Sequence, residues 1–468
     1  MQSDAPRPQG LLARLLEPKA QIPEERKRFS NPALKALILP VLIEQFLALL
    51  VGIVDTLMIS YAGEAAVSSV SLVDQLNNVF IMAFTALASG GAVVASQYVG
   101  REDKENGDMA ASQLVMSISA ISILLGLVVL LFGRQIFGLL FGRVEQEVLD
   151  TGMVYMRITA FSFPFLALYN GCAGLFRSMG RTKILMQVSI AMNGINVAGN
   201  AIGVFALRAG VAGVAWPTLI SRAFAAAAMV ILTMNPENPI SLRLSMVFSC
   251  RWSMITRIFR IAVPNGIESG LFQLSKVALS SIVAIFGTVQ IAANGVAQSF
   301  WSMSALFCIA MGPVFITVVG QYMGAGDVEG ADYYMKKLLR ITFAGAAVWN
   351  LAILLATPLA LQVYSLSGEA KHLVILLVFI HNSLNAVFGP VAFAFANGLR
   401  AAGDVKFTMY AAIFATVVCR VSLSFLFGLA LQMGAVGVAL AMVCDWVIKA
   451  ILVIWRYKGG KWRAMRVI

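Results

Sequence analysis

Between Lys35 and Arg456 the chain is a succession of apolar runs, each long enough to cross a hydrocarbon core, which takes about 20 residues. Twelve can be traced, at 35–59, 70–98, 109–132, 151–173, 184–206, 210–233, 257–285, 291–322, 334–358, 372–396, 407–429 and 433–456. Charged residues make up only 12% of the sequence, about half the usual share of a soluble domain. Too few charges remain to cover a water-facing surface, so hydrocarbon is the expected solvent. The expected fold class is an all-α membrane protein with twelve transmembrane helices.

The net charge of +12 would suit a nucleic-acid binder if the charges were clustered. They are sorted by side instead. The two tails and every second loop together hold 26 Lys and Arg, whereas the alternate loops hold four: Arg134, Arg143, Arg208 and Lys371. Basic loops stay in the cytoplasm, so both termini are expected there, in a multi-pass membrane protein with lipids and no nucleic acid as partners. No Gly-x-x-x-x-Gly-Lys loop is present to hold ATP. Cys172, Cys250, Cys308, Cys419 and Cys444 show no metal-like spacing, and His372 and His381 are the two histidines. No enzyme activity, cofactor or metal is expected. A short surface helix is expected over "LLARLLEPKA", residues 11–20.

The second half repeats the first. "SQYVG" at 96–100 returns as "GQYMG" at 320–324; Pro40, Glu44 and Gly63 match Pro264, Glu268 and Gly287. Gly210 and Gly213 match Gly434 and Gly437, all at an offset of 224, and "RSMGRTK" at 177–183 matches "RAAGDVK" at 400–406 at an offset of 223. Each half then holds six segments. An even number makes both halves enter from one side, as parallel repeats about an axis along the membrane normal. The expected organisation is a tail at 1–34, an N-lobe at 35–233, a linker at 234–256, a C-lobe at 257–456 and a tail at 457–468, with a cleft between two six-helix bundles. The repeated tyrosine and glycine suit the interfacial end of each second helix.

Ionisable groups inside the spans each cost a few kcal/mol and need a reason. Asp55 lies in the outer part of the first segment. Asn193, Asn196 and Asn200 fall at i, i+3 and i+7 of the fifth, on one helix face, and Asn200 reaches a depth like that of Asp55. With Tyr61 just beyond the first segment, they can form one wet, anionic spot, in which Asp55 is the proton acceptor. The plainer readings are a polar helix-end anchor for Asp55 and interhelical hydrogen bonding for the asparagines. Glu44 and Glu268 occupy equivalent places four residues after a proline. Either they face a central cleft, with Lys276 placed to neutralise Glu268, or each is pinned inside its own bundle. Arg420 and Asp445 share a depth in the last two segments and are expected to form a structural ion pair, with Lys449 one turn away. Arg157 and His381 occupy corresponding positions, and His381 stands either in the cleft as a titratable group or in packing. Arg222 has no partner legible in the sequence.

At "VGIVDTLMISYAGEAAVSSVSLVDQLNN", "ASGGAVVASQYVG", "PNGIESGLFQLSK" and "GTVQIAANGVAQSFWS" the chain resembles the multidrug and toxin extrusion (MATE) transporters. The resemblance spans all twelve segments and is nearest to a poorly characterised bacterial branch. It implies efflux of amphipathic, cationic organic compounds by rocking-bundle antiport, carried out by a monomer. It also implies that Asp55, Asn196 and Asn200 belong to an N-lobe cation-coupling site. Sodium-linked members carry a C-lobe glutamate and aspartate where this chain has Phe272 and His381, which makes protons the expected coupling ion, with sodium open at the N-lobe site. A lipid or oligosaccharide-lipid flippase is the alternative, and would recruit Arg157, Arg222 and Arg420 to hold phosphate.

Overall fold

The computed structural model describes residue 18 and residues 21–142, 145–364 and 366–468. The helix expected over 11–20, Pro18 apart, and Arg143 lie outside the described residues. The principal helices are α1 (Asn31–Ser60), α2 (Glu64–Arg101), α3 (Lys104–Phe141), α4 (Gln146–Phe161), α5 (Phe163–Ser178), α6 (Thr182–Ala206) and α7 (Ala212–Thr233). They continue as α8 (Trp252–Ala284), α9 (Thr288–Gly324), α10 (Val328–Ala360), α11 (Gly368–Ala401), α12 (Val405–Ala430) and α13 (Gly434–Lys458).

Among the described residues, ten helices are long and apolar enough to cross a membrane, and α4 with α5, bent by 45° across Ser162, makes an eleventh. The bend falls where Pro164 opens α5, as expected of a residue that cannot donate to the preceding turn. The twelve runs read from the sequence include α8, which has the length but not the apolarity. Glu268, Gln273, Lys276 and four serines dilute its second half.

The halves repeat in conformation as well as in residues. Gly63 and Gly287, which precede α2 and α9, have φ of 104° and 91°, a region open to glycine and strained for other residues. Asp103 caps α3 by accepting from the Asn106 N–H at 3.2 Å, and Asp327, 224 residues on, caps α10 by accepting from the Gly330 N–H at 2.9 Å. Such caps satisfy the open donors of a helix start. Gly213 and Gly437 are needed for close approach. A Cβ on Gly213 would stand 2.6 Å from the Gly203 carbonyl oxygen, and one on Gly437 would stand 2.5 Å from the Phe427 backbone.

The recurrent Gln-Tyr-x-Gly has a structural use too. Tyr322, buried at the end of α9, receives a hydrogen bond from the Arg28 N–H at 2.7 Å and donates to the Arg26 carbonyl at 2.9 Å. Tyr98, its counterpart on α2, is held by the Arg257 guanidinium at the start of α8. Each tyrosine thus ties down the segment that leads into a long helix. Arg26 also pairs with Asp327 and, at 2.9 Å, with Glu329. Burial opposes the charge on Asp327, but the Arg26 guanidinium and the Gly330 N–H outweigh it and hold the carboxyl below the usual range.

The chain divides into two compact units, Ala33–Gly270 with Val467–Ile468, and Leu271–Arg466 with Met1–Pro32. In the N-terminal unit the core gathers Val73, Phe84, Phe137, Met156 and Phe163. The linker after α7 is strapped onto α3 of this unit. Asp108 accepts from the Ser241 N–H at 2.7 Å and pairs with Arg243 at 2.7 Å, while Gln113 donates to the Met246 and Ser249 carbonyls and accepts from the Arg251 N–H. The C-terminal unit has one core around Leu279, Phe300 and Leu377, and a second around Trp301, Met442 and Trp446.

Candidate functional site

In the N-terminal unit α1, α6 and α7 converge on a chain of polar side chains. Asp55 is half-buried on α1, five residues before the helix ends, or about 7.5 Å along its axis. It accepts a hydrogen bond from Asn200 Nδ2 at 2.7 Å; the same Nδ2 reaches Asn196 Oδ1 at 3.2 Å, and Asn196 donates to Thr218 Oγ1 at 3.1 Å. Asn196 and Asn200 are one turn apart on α6, so they share the face that meets α7. That packing is tight, since a Cβ on Gly199 would lie 2.6 Å from the Pro217 ring. Below Asn200 the helix turns into a π segment, Ile202–Ala206, an irregularity that often marks functional sites.

Asn200 Oδ1 is buried and has no hydrogen-bond partner. An orphaned acceptor beside a carboxylate is costly unless something donates to it or coordinates it. A proton on Asp55 would supply the missing donor. A hard cation would find carboxylate, amide and hydroxyl oxygens, the ligands such ions take. Among the described residues no group of three or more His, Cys, Asp or Glu could hold a metal ion.

Asn193 and Tyr61 stand apart from this chain. Asn193 Nδ2 is buried without a partner, one turn of α6 away from Asn196. Tyr61 is 69% exposed, its ring edge-on to Phe205 at 5.2 Å. The reason is local: α1 ends at Ser60, and the positive φ of Gly63 turns the chain away.

A second acid, Asp74 on α2, was missed in the sequence. It accepts from the Tyr155 hydroxyl at 3.2 Å and from Asn77 at 3.5 Å, while Asn77 reaches Thr159 at 3.5 Å. Arg222 lies within electrostatic reach of Asp74, Asp55 and Tyr155 and donates to Ser162 Oγ at 2.7 Å. Five helices of one unit therefore contribute to a polar region around two carboxylates. The Asp74–Asn77 spacing of i, i+3 was the available signal, and Arg222 has in Asp74 the counter-charge its own segment lacks.

The other candidates sort differently. Glu44 is buried and paired with Arg177 of α5 at 2.6 Å, which is the second of its two readings, a buried polar group held within its own unit. Glu268 is half-buried on α8. Lys276 does not sit in solvent but over the Phe272 and Trp301 rings, at 5.4 and 5.2 Å. His381 is 1% exposed, and neither ring nitrogen has a hydrogen-bond partner, so it is neither a solvent-facing group nor a satisfied packing residue. Arg420 and Asp445 are both buried and approach to 3.8 Å, with Thr416 donating to Asp445 at 3.2 Å. Lys449 lies 5.9 Å from the Phe393 ring centre.

Comparison with known proteins places this geometry. The MatE family model matches twice, at residues 40–202 and 264–426, copies displaced by the 224 residues of the internal repeat. The uncharacterized transporter YisQ of Bacillus subtilis is 26% identical over 92% of this chain and 94% of its own length. The probable multidrug resistance protein NorM of Thermotoga maritima is 23% identical over 96% of each chain. Among solved structures, a MOP superfamily transporter from Pyrococcus furiosus, whose binding pocket of reverse polarity suggests a different function, superposes with a TM-score of 0.84 at 18% identity. That match covers 92% of this chain and 96% of the other, and at such identity it speaks for the fold alone.

Proposed function

The chain belongs to the MatE family, and from that premise we propose that it exports amphipathic organic compounds, organic cations among them, in exchange for inward protons taken up at Asp55. Secondary active transport of small organic compounds by antiport follows from the family. The finer reading rests on one observation, the buried Asn200 Oδ1 left without a donor next to the Asp55 carboxylate. In the charged state Asp55 accepts from Asn200 Nδ2. Protonated, it carries a donor and is best served by Asn200 Oδ1. Turning the amide to meet it breaks the bonds to Asp55 and Asn196 and loosens the link onward to Thr218. A change of one proton thereby alters the hydrogen bonds that join α1, α6 and α7.

Antiport requires that proton and cargo each weaken the binding of the other, and that coupling is reciprocal. An organic cation is favoured while Asp55 is charged and disfavoured once it is neutral. Asp74 and Arg222 set the local charge against which Asp55 titrates. We place the repeats as two parallel six-helix bundles, with α8 supplying the seventh span and both termini in the cytoplasm of a bacterium. The protein then acts as a monomer. Sodium is the second reading for the coupling ion, favoured by the oxygen ligands of Asp55, Asn196, Asn200 and Thr218. A lipid flippase draws no comparable support in the N-terminal unit, where Arg222 lies within electrostatic reach of the Asp74 and Asp55 carboxylates.

Uptake of a fluorescent organic cation into inverted membrane vesicles, under separately imposed pH and sodium gradients, tests this reading. The expected result is uptake driven by an acid interior and indifferent to sodium. Acceleration by a sodium gradient alone contradicts proton coupling.

A further inference from the structure

The C-terminal unit carries a buried cluster of opposite character. Phe272 and Lys276 of α8, Trp301 of α9, His381 and Phe393 of α11, Arg420 of α12 and Trp446 of α13 are linked without a break. Trp301 and Trp446 stack with centroids 6.3 Å apart, Phe272 lies 6.4 Å from Trp301, and Trp446 is 6.1 Å from His381 and 6.0 Å from Phe393. Arg420 stands over Phe272 at 5.3 Å, and Lys276 lies over both Phe272 and Trp301. Lys276 and His381 are each within electrostatic reach of Arg420.

These side chains are poorly served by the protein. Arg420 Nε and Nη1, Trp301 Nε1, Trp446 Nε1 and both ring nitrogens of His381 are buried without a hydrogen-bond partner, although Arg420 and His381 are each 1% exposed and Trp446 is fully buried. Native interiors satisfy nearly all such groups. The imbalance has a direction. Arginine and indole nitrogens only donate, and neutral imidazole offers one donor and one acceptor, so these six nitrogens are five donors to one acceptor; the same helix α11 also carries orphaned acceptors at Asn382 Oδ1 and Asn385 Oδ1. Charge points the same way, with Lys276 and Arg420 within electrostatic reach of each other and the Asp445 carboxylate 3.8 Å from Arg420.

The internal repeat sharpens the contrast. Arg420 lies 224 residues after Asn196 and Leu279 lies 224 after Asp55, so one repeat holds an acid with amides where the other holds a guanidinium without the acid. Arg420 closes a π segment, Phe414–Arg420, and Phe393 lies in another, Pro390–Phe395. Both are backbone irregularities of the kind that re-aims side chains at a site.

We infer that this cluster in the C-terminal unit is a binding site for the anionic group of an aromatic or amphipathic organic acid. Arg420, His381 and the indole N–H groups take the carboxylate, and the Phe272, Trp301, Phe393 and Trp446 rings take the body. The inference goes beyond the proton-coupling reading and does not depend on it. An equilibrium measurement without gradients keeps the two apart. Isothermal titration of the purified full-length protein with benzoate is expected to show saturable binding. Uncharged benzamide and chloride should bind at least tenfold more weakly. The charge-neutral double variant Arg420→Gln/Asp445→Asn should weaken benzoate at least tenfold, and Trp446→Phe, which keeps a ring and removes the donor, several-fold. Absence of benzoate binding, equal binding of benzamide, chloride binding as tight as benzoate, or insensitivity to both sets of C-terminal substitutions overturns the assignment.

Discussion

The Asp55→Asn variant is expected to reach the membrane folded and to lose gradient-driven export, its transport in proteoliposomes falling to the rate of passive leak. Asparagine has the shape of aspartate and keeps an oxygen in place to accept from Asn200 Nδ2, which now approaches at 2.7 Å. The loss of a charge-assisted bond, stronger than a neutral one by roughly 1 kcal/mol, is offset by the lower cost of burying a neutral group. Stability therefore changes by about 1 kcal/mol or less, while the group that exchanges a proton is gone. Flux at equal pH on both sides should survive better than flux against a gradient, because only the latter needs coupling. Coupled export at the parental rate would remove Asp55 from the mechanism.

The second large effect is on stability. Glu44 on α1 and Arg177 on α5 form a 2.6 Å pair in which the carboxylate side chain is 8% exposed and the guanidinium 20%. Removing one partner of a buried pair leaves the other as an uncompensated charge and costs about 3–5 kcal/mol. The partial exposure of Arg177 puts the loss of Glu44 near the low end, since water can reach the guanidinium that remains. Glu44→Ala is thus expected to cost about 3 kcal/mol, and Arg177→Ala, which strands the more buried carboxylate, more than that. The double variant Glu44→Leu/Arg177→Leu is expected to cost less than either single change, because replacing a whole buried pair by apolar groups is often neutral. Thermal unfolding in detergent reads the series. A single variant within about 0.5 kcal/mol of the parent, or a double variant worse than both singles, would contradict a pinned structural role.

Much of this was legible because membrane insertion imposes coarse, one-dimensional constraints. Run length marks the spans, and the matched Gly63 and Gly287 foretell the same turn twice, with φ of 104° and 91°. Asp55 with Asn196 and Asn200 could be assembled from helical rise and period alone, since both segments run the same way through the bilayer. What failed needed a third dimension. Asp74 sits in a helix that begins at Glu64, six residues before its apolar run, so the run alone places it too near the end of the span to stand out. The choice for Glu44 between a cleft and its own bundle stayed open because its partner lies 133 positions away on another helix. The C-terminal cluster escaped because tryptophans and phenylalanines in a membrane sequence are ordinary. Only the orphaned nitrogens of Trp301, His381, Arg420 and Trp446 set them apart, and hydrogen-bond accounting has no signature in spacing.

The central claim is that Asp55 gives up its proton when cargo binds. Infrared difference spectroscopy of the purified protein, at a pH where Asp55 is largely protonated, tests it most directly. Adding an organic cation should remove one protonated-carboxyl C=O band, and that loss should be absent in Asp55→Asn and unchanged in Glu44→Gln. A cargo-induced difference spectrum without any carboxyl band, or one that survives intact in Asp55→Asn, would contradict the account.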